Sequence, residues 1–296
     1  MDDLRQFLAA LRAEGDLLEI EAEADPRLEI PEIHRRVIAQ GGPALLFKRP
    51  KGSSFPVVTN LFGTARRIEI AFGKRPTEFV RTAVRASHEL LPPTPGKLWG
   101  FRSFFAEALK VGTREVSAAP VTEVVETEPD LTRLPALTQW PEDGGPFLTL
   151  PLVYTEHPEK REHNLGMYRI QIHEARQTGI HWQIGKGGGF HHHVAESRGE
   201  PLPVTVFLGG PPALIIAAIA PLPEGVPELL LASLLLGKKL PLTRVPGHPH
   251  RLVAGAEFAI AGKVPPKVRR PEGPFGDHYG YYSLAHDYPV LDVERV

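Results

Sequence analysis

The sequence predicts a mixed α+β protein, with a small N-terminal α/β domain at residues 1–115 followed by a strand-rich domain at residues 116–296. Helix and strand patterns alternate through the first third of the chain. An irregular, proline-punctuated passage follows, LTRLPALTQWPEDGGPFLTLP, and short strand patterns dominate after it. Antiparallel strands with helices at their ends are typical of a β-barrel or sandwich in an α+β protein.

The apolar residues at the start of the chain share one helical stripe, which predicts an amphipathic helix. This helix is expected to end near Gly15. The alternating segment LLEIEAE predicts a strand. Pro31 in the first turn and Gly41 as a stop predict a helix over PEIHRRVIAQGG. ALLF and PVVTNL are typical of short buried strands, and helical patterns return in TEFVRTAVRASHELL and KLWGFRSFFAEAL.

Strand patterns dominate the second region. They occur in PLVYTEH, LGMYRIQIHE, TGIHWQI, LPVTVFLGG and RLVAGAEFAIAGKV. Two short apolar helices, PALIIAAIAP and PELLLASLLLG, interrupt them. Both apolar runs are too short to cross a bilayer.

Composition excludes several classes of function. The chain carries 34 Lys and Arg against 35 Asp and Glu, so we expect no nucleic-acid partner. There are no cysteines, which excludes disulfides, thiolate nucleophiles and thiolate zinc sites. The acidic, amphipathic N-terminus is not a secretory signal, and we predict a soluble cytoplasmic protein with no membrane span.

Two polar residues stand out in HNLGMYR. Asn164 offers an oxygen that suits a hard cation, and Arg169 offers a planar fork for a carboxylate or phosphate. From these residues alone, a turn asparagine and a surface arginine remain the simpler interpretation.

The segment IHWQIGKGGGFHHHV suggests an anion-binding loop. Lys186 and Gly187 to Gly189 form a flexible stretch whose backbone N–H groups can surround an anion, and a helix is predicted from the histidines onward. Adjacent helical residues point about 100° apart, so three consecutive histidines cannot all face one metal. We expect one or two of them to face a ligand and the others to be solvated.

Carboxylates mark two further motifs. Glu228 opens an almost wholly apolar helix, where either the helix dipole or a buried metal would favour a carboxylate. In RRPEGPFGDHYGYY, Glu272 and Asp277 are separated by glycines and a proline and surrounded by aromatic residues. Two carboxylates in such a setting should have separated pKa values, which suits one acid and one ionised group.

Taken in series, NLGMYR, IHWQ with its glycine-rich continuation, PEGVPE and PEGPFGDHYGYY resemble the UbiD family of decarboxylases, which use prenylated FMN. The similarity extends to PALTQWPEDGGPFLT and to much of the N-terminal third. It implies that the second domain is a split β-barrel like that of flavin reductases. It further implies that the flavin phosphate is held through a divalent metal, manganese or magnesium, with a potassium ion nearby.

The resemblance also assigns residues. Asn164 and Glu228 would be metal ligands, and His191 is the counterpart of a histidine that some members place on the metal. The cofactor-binding residues it implies are Asn164, Met167, Tyr168, Arg169, His181, Trp182, Gln183, Lys186, Gly187 and His191.

Catalysis in the family rests on an arginine and two acids, which correspond to Arg169, Glu272 and Asp277. Arg169 would orient the substrate carboxylate and pair with Glu272. Asp277 would protonate the carbon after carbon dioxide leaves. The implied reaction is the reversible, non-oxidative decarboxylation of an aromatic or α,β-unsaturated carboxylic acid, with quinone precursors among the open substrates.

The implied partners are a flavin prenyltransferase that supplies the cofactor, and either further copies of the chain or a second, complementary polypeptide. Family members continue past the point where YPVLDVERV ends this sequence, into a C-terminal domain. A separate subunit, a shortened form and a fragment are all compatible with that difference. An ordinary flavin oxidoreductase on a split barrel and a non-catalytic subunit remain alternatives. A zinc hydrolase is disfavoured because no HExxH pattern occurs.

Overall fold

Helices and strands alternate along the chain in the computed structural model, which describes residues 1–89, 94–103, 106, 109–183, 185, 187–222 and 225–296. The helices in these ranges are α1 Leu4–Ala13, α2 Glu29–Ala39, α3 Ala65–Phe72, α4 Arg75–Glu89, α5 Pro95–Gly100, α6 Gly187–Ser197, α7 Pro212–Ile219 and α8 Glu228–Leu236. The strands up to residue 208 are β1 Leu17–Ala24, β2 Ala44–Pro50, β3 Val57–Thr59, β4 Thr113–Glu115, β5 Phe147–Leu148, β6 Leu152–Glu156, β7 His163–Met167, β8 Ile170–Glu174, β9 Gln177–Ile180 and β10 Leu202–Leu208. The remaining strands are β11 Leu240–Thr243, β12 Leu252–Val253, β13 Phe258–Val264, β14 Arg269–Glu272, β15 Phe275–Gly276, β16 Tyr282–Ser283 and β17 His286–Arg295.

The N-terminal region is a three-stranded sheet with helices packed on it. β1 pairs with β2 in parallel and β3 pairs with β2 antiparallel. Helix α1 buries Phe7 and Leu11 and is capped by the Asp3 side chain, which accepts from the N–H of Gln6. The helix and strand patterns of this region are therefore confirmed up to α5. Residues 90–91 of the pattern TEFVRTAVRASHELL and residues 104–105 and 107–108 of the pattern KLWGFRSFFAEAL lie outside the described residues.

The second region is built on one large sheet with the strand order β5-β8-β9-β17-β13-β10-β6-β7, and β14 pairs with β17 at the side. Its longest register runs from Leu202 opposite Val264 to Leu208 opposite Phe258. The sheet curls into a half-barrel. Helices and a mainly antiparallel sheet occur together, which confirms the mixed α+β class. The closer likeness to a flavin-reductase split barrel and the domain division after residue 115 stay predictions.

Each face of the curled sheet carries its own apolar core. One core contains Leu165 and Phe207 and is covered by α7 and α8, while the other contains Val153 and Val206. The apolar helices α7 and α8 have only eight and nine residues. In the described part of the chain, no helix is long and apolar enough to cross a membrane.

Two local predictions were wrong in ways that matter for the site. The run LGMYRIQIHE is not one strand, because β7 ends at Met167 and β8 begins at Ile170. The break turns Tyr168 into the core and frees Arg169 to reach β14. Gly187 to Gly189 are not a flexible loop, because they form the first turn of α6.

Candidate active site

Arg169 and Glu272 form a bidentate ion pair at the point where β8 begins and β14 ends. Arg169 Nε donates to Glu272 Oε1 at 2.8 Å, and Nη2 donates to Oε2 at 3.0 Å. The Glu272 side chain is 0% exposed and that of Arg169 is 16% exposed. Paired N–H groups on two carboxylate oxygens fix both side chains in one orientation.

His181 is the third member of this cluster. Its Nδ1 lies 3.1 Å from Glu272 Oε2, and its ring packs on Tyr288 with centroids 4.2 Å apart. Burial raises the pKa of Glu272, but the hydrogen bonds from His181 and Arg169 and their charges outweigh burial, so the pKa is lowered. Glu272 is therefore an ionised acceptor at neutral pH, and His181 carries its proton on Nδ1.

The hairpin β15–β16 adjoins the pair. Ser283 Oγ accepts from Arg169 Nη2 at 3.0 Å, and the Phe275 ring lies under the guanidinium, 4.8 Å from Cζ. Asp277 follows β15, and its Oδ1 accepts from the N–H groups of Tyr279 at 2.8 Å and Tyr281 at 3.2 Å. The structure thus joins Arg169 and Glu272 directly, whereas the hydrogen bonds of Asp277 close its own turn.

A second cluster forms around Asn164 on β7. Asn164 Nδ2 donates to the Tyr168 hydroxyl at 3.3 Å, and the N–H of Gly188 donates to the same hydroxyl at 3.1 Å. A Cβ on Gly187 would meet Asn164 Oδ1 at 2.4 Å. Glycine is therefore required for the N-terminus of α6 to approach Asn164, and such a terminus favours an anion.

Glu228 reaches the same strand from α8. Its Oε2 accepts from the N–H of Leu165, the residue after Asn164, at 3.1 Å. Burial raises the pKa of Glu228, and two backbone hydrogen bonds oppose that shift only in part. A carboxylate in this position would gain from a cation.

The three histidines of α6 have different environments. His191 is buried, its Nδ1 is 2.8 Å from Thr155 Oγ1, and burial, followed by the charges of His157 and His163, lowers its pKa to about 4. His192 is also buried and stacks on Trp182 with centroids 6.1 Å apart. Among the three, His193 is exposed, as expected for a solvated histidine, and the expectation that one or two of the others face a ligand stays a prediction.

Two other predicted cofactor residues lie on or beside β7 in the described structure. Met167 ends β7, and Trp182 packs edge-on against Tyr168 with centroids 5.0 Å apart. Gln183 is exposed in the segment before α6. Lys186 lies outside the described residues.

The residues near Asn164 suit a hard divalent cation. Asn164 offers an amide oxygen on β7, and Glu228 of α8 offers a carboxylate that accepts from the N–H of the next residue, Leu165. His191 bonds to Thr155, which lies directly opposite Asn164 across β6 and β7, so these side chains share a face of the sheet. Across the described residues, no three His, Asp or Glu side chains form a metal-binding group by themselves.

Sequence reasoning missed the role of Ser283, which completes the Arg169 environment, and the packing of Tyr288 on His181. A serine and a tyrosine in strands give no local signal of such contacts. It also missed the contacts of Gln171 and Asp143 with the backbone that follows Glu272.

The fold and the arginine–carboxylate pair define a class of α+β protein. Comparison with known proteins shows which family this is. Residues 114–296 match the 3-octaprenyl-4-hydroxybenzoate carboxy-lyase Rift-related domain, and residues 8–87 match the corresponding N-terminal domain. The chain belongs to the UbiD family.

Curated relatives are about twice as long as this chain. One, from Chlamydia pneumoniae, is named as a subunit of 4-hydroxybenzoate decarboxylase and is 47% identical over 298 residues, covering 100% of this chain and 50% of the relative. An uncharacterized protein of Chlamydia caviae is 48% identical over 296 residues, covering 100% of this chain and 51% of the relative. The chain thus spans about half the length of the curated relatives it matches.

Solved structures share the fold over almost the whole chain. The UbiD-class enzyme HmfF of Pelotomaculum thermopropionicum, in complex with FMN, is 30% identical with a TM-score of 0.83, covering 99% of this chain and 62% of that one. An evolved dimeric form of it, in complex with prFMN, is 32% identical with a TM-score of 0.79, covering 99% and 64%. Vanillic acid decarboxylase of Sedimentibacter hydroxybenzoicus in closed form is 26% identical with a TM-score of 0.85, covering 100% and 61%.

Proposed function

We propose that this chain carries the flavin-side half of a decarboxylase that acts reversibly and without oxidation on an aromatic or α,β-unsaturated carboxylic acid. The observation that carries the proposal is the bidentate ion pair of Arg169 with the fully buried Glu272. A buried ion pair adds little to stability compared with apolar packing, so its presence beside a polar cluster favours a functional role. Family membership supports the same conclusion.

Prenylated FMN, when bound, supplies the electron sink that loss of carbon dioxide from an unsaturated carbon requires. Asn164, Glu228 and His191 would hold manganese or magnesium at its phosphate, with potassium nearby. The N–H groups of the first turn of α6, with Lys186, would face the phosphate. Met167 to Arg169 and His181 to Gln183 would line the flavin. Two solved relatives in complex with FMN and prFMN support this assignment.

Arg169 would orient the substrate carboxylate. Its Nε and Nη2 are engaged by Glu272 and Ser283, whereas Nη1 has no hydrogen-bond partner among the described residues. A substrate carboxylate can therefore bind at Nη1 without displacing Glu272. Glu272 holds the guanidinium of Arg169, and His181 in turn holds Glu272. A substrate carboxylate bound to Arg169 would therefore keep one orientation, and so would the carbon–carbon bond that breaks when carbon dioxide leaves.

Asp277 would return a proton to the carbon that loses carbon dioxide. Its Oδ1 is held by two backbone N–H groups, which leaves Oδ2 as the oxygen that can carry the proton. Glu272 is unsuited to this role because its pKa is lowered. The two acids therefore divide the tasks of charge partner and proton donor.

A second, complementary polypeptide or further copies of this chain would complete the active site. A relative that is named as one subunit of a decarboxylase and a solved relative in dimeric form support assembly with other chains. A flavin prenyltransferase would supply the cofactor.

The test is co-expression with a flavin prenyltransferase and with the genes that flank this one, followed by mass analysis of the released cofactor and an assay of carbon dioxide release. We expect prenylated FMN in the purified protein and decarboxylation of a panel of aromatic and acrylic acids. Unmodified FMN with reductase activity would instead indicate an oxidoreductase. Absence of flavin under every condition would indicate a non-catalytic subunit.

A further inference from the structure

The segment that joins Glu272 to Asp277 is held from outside by a loop at residues 139–144, the 139–144 loop. Asp143 Oδ1 accepts from the N–H of Gly276 at 2.8 Å. The N–H of Gly144 donates to the carbonyl of Pro274 at 2.8 Å. A Cβ on Gly144 would lie 2.0 Å from the carbonyl oxygen of Gly273, so the two backbones touch.

Gln171 locks the two segments together. Its Oε1 accepts from the N–H of Gly273 at 2.8 Å, and its Nε2 donates to the carbonyl of Gly144 at 2.8 Å. The side chain is buried on β8, two residues after Arg169. The backbone at Gly273, Pro274 and Gly276 is therefore fixed relative to Arg169.

The 139–144 loop is in turn held by helix α2 of the N-terminal region. Arg35 Nη1 donates to the carbonyl of Gln139 at 3.1 Å, and its Cζ lies 4.1 Å from the centroid of the Trp140 ring. Trp140 packs against Gly276, where a Cβ would lie 2.2 Å from the indole ring. Asp143 Oδ2 closes the loop by accepting from the N–H groups of Gln139 and Trp140 at 2.8 and 2.9 Å.

We propose that Asp143 is a positioning residue for the Glu272–Asp277 segment and that Arg35 holds the 139–144 loop in the position this requires. The chain of contacts runs from α2 through Trp140 and Asp143 to the residue before Asp277. The role in turnover rests on the proposed decarboxylase function. A misplacement of about 1 Å at a reacting group can cost about 100-fold in rate, so small shifts of this segment matter.

The first test is Asp143→Asn in the assembled holoenzyme. The amide can accept either from Gly276 or from the Gln139 and Trp140 pair, but its NH₂ group cannot replace the second acceptor. We expect kcat to fall between about 10-fold and about 100-fold with KM changed less than about twofold, because the segment is displaced while substrate binding at Arg169 persists. Amide hydrogen exchange should become faster in residues 272–277.

Asp130→Asn is the matched control. Asp130 directly precedes the same irregular passage and accepts from the N–H of Thr132, but it has no contact with residues 272–277 among the described interactions. We expect wild-type kinetics and wild-type exchange at 272–277. Asp143→Asn with unchanged kcat would overturn the proposal, whatever its exchange rates.

Arg35→Gln gives an independent test if Asp143→Asn does not fold. Its control is Arg36→Gln on the next position of α2, because both arginines pair with Glu32 but only Arg35 contacts Trp140. We expect faster exchange at 272–277 and a lower kcat in Arg35→Gln alone. Equal behaviour of the two variants would overturn the proposal. The exchange readout needs no turnover, so it separates failure of this proposal from failure of the decarboxylase assignment.

Discussion

The Glu272 carboxylate receives three polar contacts, two from Arg169 and one from His181. Transfer of a carboxylate from water to a fully buried position is costly unless donors of this kind replace the lost hydration. The lowered pKa of Glu272 shows that the donors more than compensate. A carboxylate with a lowered pKa keeps the guanidinium fixed, so in the proposed decarboxylation a different group would transfer the proton.

Asp277→Asn separates proton transfer from hairpin structure. The asparagine Oδ1 can still accept from the N–H groups of Tyr279 and Tyr281, so the turn is kept, while the proton on Oδ2 is lost. We expect kcat for decarboxylation to fall by about 100-fold or more with flavin occupancy unchanged. Steady-state kinetics and the visible spectrum of the purified protein measure the two quantities.

The control for this variant is Asp25→Asn. Asp25 accepts from the N–H of Arg27 two residues later, which is the same local contact in the N-terminal region. Wild-type turnover is expected there. Normal turnover in Asp277→Asn as well would remove Asp277 from the proton-donor role.

Glu228→Ala tests the metal assignment. Among the described residues that contact β7 next to Asn164, Glu228 is the only one that offers a charged oxygen ligand. The alanine variant removes this ligand. We expect loss of bound manganese and a fall in flavin occupancy of about 10-fold or more, measured by elemental analysis and absorbance.

Glu29→Ala is the matched control for Glu228→Ala. Each glutamate opens its helix, and each carboxylate accepts a backbone N–H, that of Asp25 in the case of Glu29. The Glu29 variant should therefore retain metal and flavin. Equal occupancy in both variants would show that Glu228 is not a ligand.

At the scale of elements, apolar periodicity predicted most helices and several strands, but not α3, β11 or β17, and not the turns that shape the site. LGMYRIQIHE has unbroken strand character, but β7 pairs with β6 and β8 pairs with β9, and the strand is interrupted between them at Tyr168 and Arg169. Gly187 to Gly189 have low helix propensity, which favoured a loop. Their close approach to Asn164 and Trp182 explains why glycines are nevertheless used in α6.

Part of the site could be read from residue chemistry and part could not. Glu272 belongs to a motif with two acids in aromatic surroundings, whereas Arg169 was assigned through the family resemblance, and the structure joins the two. The contacts of Ser283, His181 and Asp143 depend on strand order and on a loop from another part of the chain. Long-range pairing of this kind leaves no periodic pattern in the sequence.

Helix α3 depends on a buried arginine. Arg67 is 1% exposed, and its Nη1 donates to Asp16 Oδ1 at 2.9 Å and to the carbonyl of Gly42 at 3.2 Å. It thus joins α3 to the segments that precede β1 and β2. We expect Arg67→Ala to lower the free energy of unfolding by about 3 to 5 kcal/mol, because it removes a buried guanidinium and leaves the half-buried Asp16 carboxylate and Gly42 carbonyl without their donor. Urea denaturation measures this.

Arg66→Ala provides the control on the adjacent position. Arg66 is 62% exposed and pairs with Glu14 at the surface. An exposed ion pair contributes at most about 1 kcal/mol, so this variant should unfold close to wild type. Similar losses in the two variants would show that burial of Arg67 does not matter.

Many histidines of the molecule are buried, and burial favours their neutral form. Burial lowers the pKa of histidines on several elements of both regions, namely His34, His163, His173, His191, His192, His248 and His250. Because the formal net charge is only −1, general charge repulsion is small near neutral pH. The response of stability to mild acid should therefore depend on these side chains.

His250 offers the clearest test of this response. Its Nδ1 is 2.9 Å from Thr205 Oγ1 in the core, and burial, only partly offset by the charge of Glu156, lowers its pKa to about 4. An unfolded chain binds the proton near pH 6.5, whereas the folded protein does so only near pH 4. Stability contributed by neutral His250 is thus present above pH 6.5 and is lost as the pH falls toward 4, by up to about 3 kcal/mol.

His250→Asn should flatten this dependence, because the amide can keep the bond to Thr205 but does not titrate. We expect the urea midpoint of the wild type to fall more steeply between pH 7 and pH 5 than that of the variant. His88→Asn, at an exposed position on α4, should retain the wild-type slope. If His250→Asn also keeps the full wild-type slope, the acid response arises from the other buried histidines, and the neutral state of His250 does not contribute to it.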